Sequence, residues 1–113
     1  MIYTHSHVDH FGGAKGIVDE ADVKAGKVAV IAPAGFMEEA ISENVLAGNA
    51  MIRRAQYMYG TTLPRSATGQ VDAGLGKATS RGTVTLLAPT DLIAKTIDTR
   101  RIDGIDIEFQ LTP

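Results

Sequence analysis

The residues with the clearest potential for chemistry lie in the segment 4–13, THSHVDHFGG. It holds every histidine of the 113-residue chain, His5, His7 and His10, together with Asp9. Imidazole and carboxylate groups are the ligand types that Zn²⁺ prefers. In an extended segment His5 and His7 point to the same side, and a turn after His7 brings Asp9 and His10 to a second position nearby. The pattern therefore predicts a metal site for two neighbouring ions rather than one closed tetrahedral site.

The alternative interpretation of this segment is a solvated, histidine-rich loop with no ligand. Two features favour the metal site. All the histidines of the chain are concentrated beside one Asp, and the segment closes with Gly12 and Gly13. Because glycine lacks a Cβ, this pair permits a tight turn and a close approach of the backbone to a metal.

The segment 4–13 resembles the signature of the metallo-β-lactamase superfamily, whose members hold one or two metals at the end of a β-strand. That superfamily supports many chemistries, so the signature alone says little about the substrate. Further blocks along the chain resemble its alkyl sulfatase branch, namely residues 32–40, 42–51, 53–60, 74–77, 102–104 and 109–113. The resemblance implies an α/β chain that forms part of the αββα metallo-β-lactamase fold.

The resemblance also implies a site and a function. It implies that His5 and His7 bind one zinc ion while Asp9 and His10 bind a second, with Asp9 as the candidate catalytic residue. It further implies that the full-length form hydrolyses alkyl sulfate esters of the dodecyl sulfate type to alcohol and sulfate. Two alternatives remain open: a non-catalytic metal-binding fragment, and another hydrolase of this fold that acts on a lactam, a thioester or a phosphoester.

Residues 1–113 do not contain every metal ligand that the resemblance implies. Members of the branch take additional ligands from carboxylates and a histidine that follow the segment 109–113, and this sequence has no fourth histidine. We therefore expect residues 1–113 to be an incomplete metallo-β-lactamase-like domain that lacks the N-terminal strands and the downstream part. We expect a homodimer only for the full-length protein.

Composition excludes several other classes of function. The net charge of −2 gives no reason to expect a nucleic acid as partner. The aromatic content of 5% without Trp argues against a base-stacking platform. No apolar run approaches the roughly 20 residues that span a bilayer. The absence of Cys excludes disulfides and thiolate ligands but leaves the compartment open. The metal motif follows Met1 so closely that we expect no signal peptide in this chain.

The elements around the motif are predicted to form a βαβ unit. Residues 2–4 read as the end of a strand, 14–22 as a short helix, 24–27 as a turn and 28–32 as a buried strand that ends at Pro33. This order matches a right-handed crossover, with the ligands in the loop after the first strand.

Apolar residues at spacings of three and four predict a helix after Pro33, with Glu43 on its polar face. The apolar stripe comprises Phe36, Met37, Ala40, Ile41, Val45 and Leu46. A bend at Gly48–Asn49 should precede a second helical stretch over 50–59, which Gly60 should end. We expect Met51, Tyr57, Met58 and Tyr59 to be core packing, with an alkyl-chain pocket as the alternative.

The last part of the sequence predicts a long irregular loop and then strands. Residues 61–82 are rich in Gly and small polar residues, and their cations, Arg65, Lys77 and Arg81, are expected to be solvated, with contact to an anionic substrate as the alternative. Strands are predicted over 84–87 and 92–97. Asp103-Gly104 is a hairpin signal, and residues 105–111 should form a half-buried strand with Asp106 and Glu108 facing solvent.

Overall fold

Short helices and short strands alternate along the chain in the computed structural model, which describes residues 1–74, 76, 78 and 82–112. The helices are α1 (Val8–Phe11), α2 (Glu20–Lys24), α3 (Phe36–Ile41) and α4 (Gly48–Tyr59), with a 3₁₀ turn at Ala14–Gly16 and a π-helical turn at Ser42–Leu46. The strands are β1 (Ile31–Pro33), β2 (Asp91–Ile93), β3 (Asp98–Ile102) and β4 (Ile105–Phe109). The chain is therefore of the α/β class, as predicted.

The amino-terminal residues run beside β1, which pairs in parallel with β2. Ile2 forms a parallel bridge with Ile31, the Tyr3 amide donates to the Ile31 carbonyl at 2.8 Å, and the Ile31 amide donates to the Met1 carbonyl at 2.9 Å. The strand predicted at residues 2–4 thus exists as this single bridge. Its parallel direction relative to β1 agrees with the predicted crossover.

The segment between these two parallel stretches differs from the prediction. Instead of one helix over 14–22, the chain forms a 3₁₀ turn and then α2. Asp19 separates them because its Oδ1 accepts from the Ala21 amide at 2.9 Å and so begins a new helix. The strand predicted over 28–32 is also shorter and later, since β1 includes Pro33 as its last residue.

The helical segment after β1 has three parts rather than two. Its break is at Ala47, where the amide donates to the Ser42 carbonyl at 2.9 Å in the π-helical pattern, and not at Gly48–Asn49. Phe36 and Ala40 are buried as predicted, whereas Ile41 is 43%, Val45 70% and Leu46 81% exposed. The prediction of one buried apolar stripe is therefore wrong from Ile41 onward.

Helix α4 ends at Gly60, whose φ of +61° is the left-handed conformation that the sequence predicts for a helix stop. The core-packing role predicted for its apolar residues is wrong, because α4 buries none of them. Tyr57 is 93% exposed and Met58 63% exposed. Met51 and Tyr59 are only partly covered.

The described part of residues 61–90 contains no helix and no strand beyond an isolated bridge between Arg65 and Gln70. The strand predicted over 84–87 is wrong, although the Thr85 amide donates to the Gly12 carbonyl at 2.9 Å. The strand predicted over 92–97 is reduced to β2. Of the candidate cations, Lys77 and Arg81 lie outside the described residues.

The carboxyl-terminal hairpin confirms its predicted turn. Strands β3 and β4 pair antiparallel, and Asp103 and Gly104 have φ of +50° and +81°, as a two-residue type I′ turn requires. Asp106 lies 3.0 Å from Arg101 across the hairpin. Asp106 and Glu108 are exposed, as predicted.

The core lies between the amino-terminal stretch, β1, α3 and the segment before β2. Its buried residues are mostly apolar, namely Tyr3, Phe11, Ala14, Val23, Val30, Ala32, Phe36, Ala40 and Leu87. The chain is less compact than usual, since its radius of gyration of 17.2 Å exceeds the ~13 Å expected for a compact domain of this length. Within the described ranges, no helix combines the length and apolar character that crossing a bilayer needs.

Candidate functional site

The three histidines lie on a surface loop whose two ends are fixed by buried aromatic rings. We call residues 4–10 the histidine loop. Tyr3 and Phe11, which flank it, are each 4% exposed and both pack on Phe36. Phe36 stacks on Tyr3 at 4.8 Å between ring centroids and meets Phe11 edge to face at 5.6 Å. This aromatic cluster of Tyr3, Phe11 and Phe36 connects both ends of the loop to the start of α3.

The backbone of the histidine loop changes conformation at His7. His7 is extended, with φ −69° and ψ 132°, and caps the single turn of α1 that starts at Val8. The His10 amide donates to the His7 carbonyl at 3.0 Å. The chain bends at His5 and Ser6, whereas Asp9 and His10 lie on a helical turn. Helix α1 supplies the turn after His7 on which the arrangement of ligands at two positions depends.

Gly12 closes this turn at a position where no larger residue fits. A Cβ at Gly12 would lie 2.7 Å from the Val8 carbonyl oxygen and 3.3 Å from the Val84 side chain. Its own carbonyl accepts from Thr85. The close approach predicted from Gly12 is present, and it is an approach to protein atoms.

The imidazole rings gather at the outer side of the loop. The centroid of the His5 ring lies 4.7 Å from that of His7 and 4.3 Å from that of His10. Asp9 Oδ2 is 3.4 Å from His10 Nε2. The side chains of His7, His10 and Asp9 are 58%, 52% and 75% exposed, so solutes can reach them. The four predicted residues are thus brought into one exposed group.

This group matches zinc by ligand type and by proximity, but its atoms are not arranged as a formed metal site. In the part of the chain that the structure describes, no three His, Asp or Glu side chains converge as ligands of one ion. His5 Nδ1 is 2.9 Å from Thr4 Oγ1, and His7 Nε2 is directed at a carboxylate from the π-helical turn. The role of the four residues as ligands stays a prediction.

That carboxylate belongs to Glu43, which the sequence pattern placed on a solvated helix face. Glu43 Oε1 lies 3.2 Å from His7 Nε2, and its Oε2 accepts from the Ser6 hydroxyl at 3.3 Å. The neighbouring Asn44 donates through Nδ2 to the Ser6 carbonyl at 3.0 Å and to the Ala40 carbonyl at 2.9 Å. No sequence signal pointed to the contacts with Ser6, which join residues 37 and 38 positions apart.

Tyr3, at the base of the histidine loop, is shielded from solvent. Burial raises the pKa of its hydroxyl, and the Leu87 backbone beside it lowers that pKa by less. The hydroxyl makes no hydrogen bond of normal geometry within the described residues. A cavity of about 240 Å³ lies next to Tyr3, lined mainly by apolar residues of the amino-terminal stretch, β1, β2 and β4, and no histidine borders it.

Comparison with known sequences connects this loop to one family. The sequence model described as the metallo-beta-lactamase superfamily matches residues 1–107. A linear primary-alkylsulfatase of a Pseudomonas species is 63% identical over 113 residues, which are 100% of this chain and 17% of that protein. An alkyl/aryl-sulfatase of Saccharomyces cerevisiae is 61% identical, again over 100% of this chain and 18% of its own length.

Solved structures agree with the sequence comparison. The stereoselective inverting sec-alkylsulfatase from Pseudomonas sp. superposes with a TM-score of 0.85 at 59% identity, over 97% of this chain and 18% of that one. The chain therefore spans less than a fifth of the length of these relatives.

Proposed function

Because the chain belongs to the metallo-β-lactamase superfamily, we propose that the whole protein hydrolyses alkyl sulfate esters to an alcohol and sulfate with zinc as cofactor. The observation that carries this proposal is the 63% identity to a linear primary-alkylsulfatase across the entire chain. Residues 1–113 would then be an incomplete metallo-β-lactamase-like domain. In it, His5 and His7 would hold one ion, and Asp9 and His10 a second.

Zinc, when bound, supplies a Lewis acid and an activated water. The residues of this chain would provide the site and its access. The imidazoles lie on a loop whose ends are fixed by the aromatic cluster, so the backbone that carries them needs little ordering on binding. Asp9 is the candidate catalytic residue because its exposed carboxylate, 3.4 Å from His10, can accept a proton from the attacking water.

The charge around the histidine loop also favours a metal-assisted reaction. The charged residues that the loop contains or contacts within the described chain are Asp9 and Glu43, and both are acidic. An alkyl sulfate is an anion, so these carboxylates alone would repel it. Cations held by the loop would reverse that sign, attract the sulfate group and neutralise the charge that develops on it as the ester bond breaks.

The test of this proposal compares the chain alone with the chain in a complete enzyme. Zinc content and release of sulfate from dodecyl sulfate are measured for residues 1–113. They are also measured for a chimera in which these residues replace the matching segment of the Pseudomonas linear primary-alkylsulfatase. We expect zinc in both and turnover in the chimera, with His7→Ala in the chimera abolishing both zinc binding at this segment and turnover.

Other outcomes would favour the alternatives. A folded chimera that retains zinc but releases no sulfate would indicate a non-catalytic metal-binding segment. Cleavage of a lactam, thioester or phosphoester in place of dodecyl sulfate would indicate another hydrolase of the same fold. Absence of zinc from the folded chain and from the chimera segment would contradict the proposed ligand set itself.

A further inference from the structure

We infer that Glu43 and Asn44 are positioning residues for the histidine loop: Glu43 fixes the ring of His7 so that Nδ1 is presented to the metal, and Asn44 holds the backbone between His5 and His7. The inference rests on the proposed function, because it assigns these two residues a role toward the zinc that His7 would bind.

The Glu43 carboxylate makes two contacts with consecutive loop residues. One oxygen lies 3.2 Å from His7 Nε2 and the other accepts from the Ser6 hydroxyl at 3.3 Å. The Glu43 side chain is only 21% exposed, which is low for a glutamate and reflects its position under the loop. These two contacts restrain the Glu43 carboxylate and the Nε2 side of the His7 ring.

This contact determines which nitrogen of His7 is available to a metal. A carboxylate only accepts hydrogen bonds, so a His7 ring that donates to Glu43 does so from a protonated Nε2. A neutral imidazole with its proton on Nε2 has its lone pair on Nδ1. Ligating histidines commonly donate their second ring N–H to a carboxylate, which fixes the tautomer and makes the metal-bound nitrogen more basic. Glu43 is placed to do this for His7.

Asn44 acts on the backbone rather than on a ring. Its Nδ2 group donates to the Ser6 carbonyl at 3.0 Å and to the Ala40 carbonyl at 2.9 Å, so both amide protons are used. The Ser6 carbonyl lies between His5 and His7. The amide thus connects α3 to the midpoint of the histidine loop, away from the aromatic cluster that fixes its ends.

Both side chains come from the π-helical turn. Consecutive residues of an α-helix point about 100° apart, yet Glu43 and Asn44 both reach the loop. Glu43 and Asn44 lie in the Ser42–Leu46 turn, where the Ala47 amide donates to the Ser42 carbonyl five residues earlier. Single π-turns inside helical segments are rare and recur at functional sites.

The experiment measures zinc affinity and the His7 ring together. Zn²⁺ is titrated into the full chain in competition with a chromophoric chelator, for the unsubstituted protein and for Glu43→Ala, Glu43→Gln and Asn44→Ala. Long-range ¹H–¹⁵N NMR reports which His7 nitrogen carries the proton. Glu39→Ala is the matched control, because Glu39 is an exposed glutamate one helical turn earlier that does not contact the loop.

We expect Glu43→Ala to weaken zinc binding by about 10- to 100-fold, as loss of an outer partner of a ligating histidine does. Glu43→Gln should lose less zinc affinity than Glu43→Ala, since its amide oxygen still accepts from Nε2. Asn44→Ala should also bind zinc more weakly than the unsubstituted protein. Glu39→Ala should change the affinity by less than about two-fold, as expected for a screened surface charge. In the zinc-loaded protein, Nε2 of His7 should be protonated and Nδ1 bound to metal.

The inference would be overturned by Glu43 variants that fold and bind zinc like the control, or by zinc bound through Nε2 of His7. If Glu43→Ala does not fold, the ring nitrogen through which His7 binds zinc in the unsubstituted protein decides. Failure of the proposed function is distinguishable: the unsubstituted chain would then bind no zinc, or the chimera would release no sulfate, whatever the Glu43 variants do.

Discussion

Replacing Phe36 by Ala should both destabilise the protein and loosen the histidine loop. Phe36 is 2% exposed and forms the shared contact of the aromatic cluster, stacked on Tyr3 at 4.8 Å and edge to face with Phe11 at 5.6 Å. Tyr3 precedes the histidine loop and Phe11 follows it directly. The substitution therefore leaves a cavity under both ends of the loop at once.

The expected loss in the free energy of unfolding is about 3–5 kcal/mol, the usual cost of Phe→Ala in a core, including the aromatic pair contacts. For a chain of this size, about 4 °C per kcal/mol translates this into a fall in Tm of at least ~12 °C. Because a domain is stable by only about 5–15 kcal/mol, a substantial share of that stability is removed. Urea unfolding followed by circular dichroism measures it.

Leu46→Ala provides the matched control, since Leu46 is a large apolar residue that is 81% exposed. It should change the free energy of unfolding by less than about 0.5 kcal/mol. Phe36→Leu keeps most of the side-chain volume, so its loss in the free energy of unfolding should lie between those of Phe36→Ala and Leu46→Ala. A loss below about 1 kcal/mol for Phe36→Ala, or a loss equal to that of Leu46→Ala, would refute the argument that the aromatic cluster supports the loop.

Three further predictions concern other parts of the chain. Tyr3→Phe should leave stability unchanged or raise it by up to ~1 kcal/mol in urea unfolding, because it removes a buried hydroxyl without a hydrogen-bond partner among the described residues; a loss above ~1 kcal/mol would contradict this. Hydrogen bonds from Lys15 and then Lys24 lower the pKa of Glu20 from 4.5 to about 2, so its contribution to stability is present above pH 4.5 and is lost as the pH falls through about 2. In Glu20→Gln the midpoint of urea unfolding should depend less on pH in that window. An unchanged pH dependence would show that the ion pairs of Glu20 with Lys15 and Lys24 contribute nothing to stability. Ile97→Asn should raise stability by about 1 kcal/mol by the same assay, because Ile97 is 63% exposed and its φ of +56° disfavours a β-branched side chain; a decrease would show that its side chain contributes more than the strain costs.

The features that were predictable from sequence depend on local chemistry. The hairpin turn at Asp103-Gly104 and the helix stop at Gly60 each need a positive φ, and all three residues have it. The change of direction after His7 is likewise local, since α1 starts at the next residue. In each case the decisive interaction lies within a few residues, so the pattern of residue types is sufficient.

The predictions that were wrong concern features that depend on contacts with residues far along the chain. Residues 84–87 have the composition of a strand, but the hydrogen bond of Thr85 goes to Gly12 outside any sheet. Leu46 has helical spacing with Phe36, yet nothing in the described chain covers it. Periodicity shows that a residue can be buried and does not show whether a covering element exists. The contacts of Glu43 with the loop have the same origin, because no spacing rule connects residues 37 positions apart.

The histidine loop is held by two sets of contacts with different physical natures. Its ends depend on apolar packing in the aromatic cluster, whereas its middle depends on polar contacts from Glu43 and Asn44, which lie near the surface. Packing contributes to folding whether or not a metal is present. A partly exposed carboxylate contributes little to folding, since most of its hydrogen bonding can be replaced by water. The two effects should therefore separate: Phe36→Ala should lower stability and zinc affinity together, while Glu43→Ala should lower zinc affinity at nearly unchanged stability. A Glu43→Ala protein that loses both in proportion would mean that the polar contacts are part of the fold rather than a device for orienting His7.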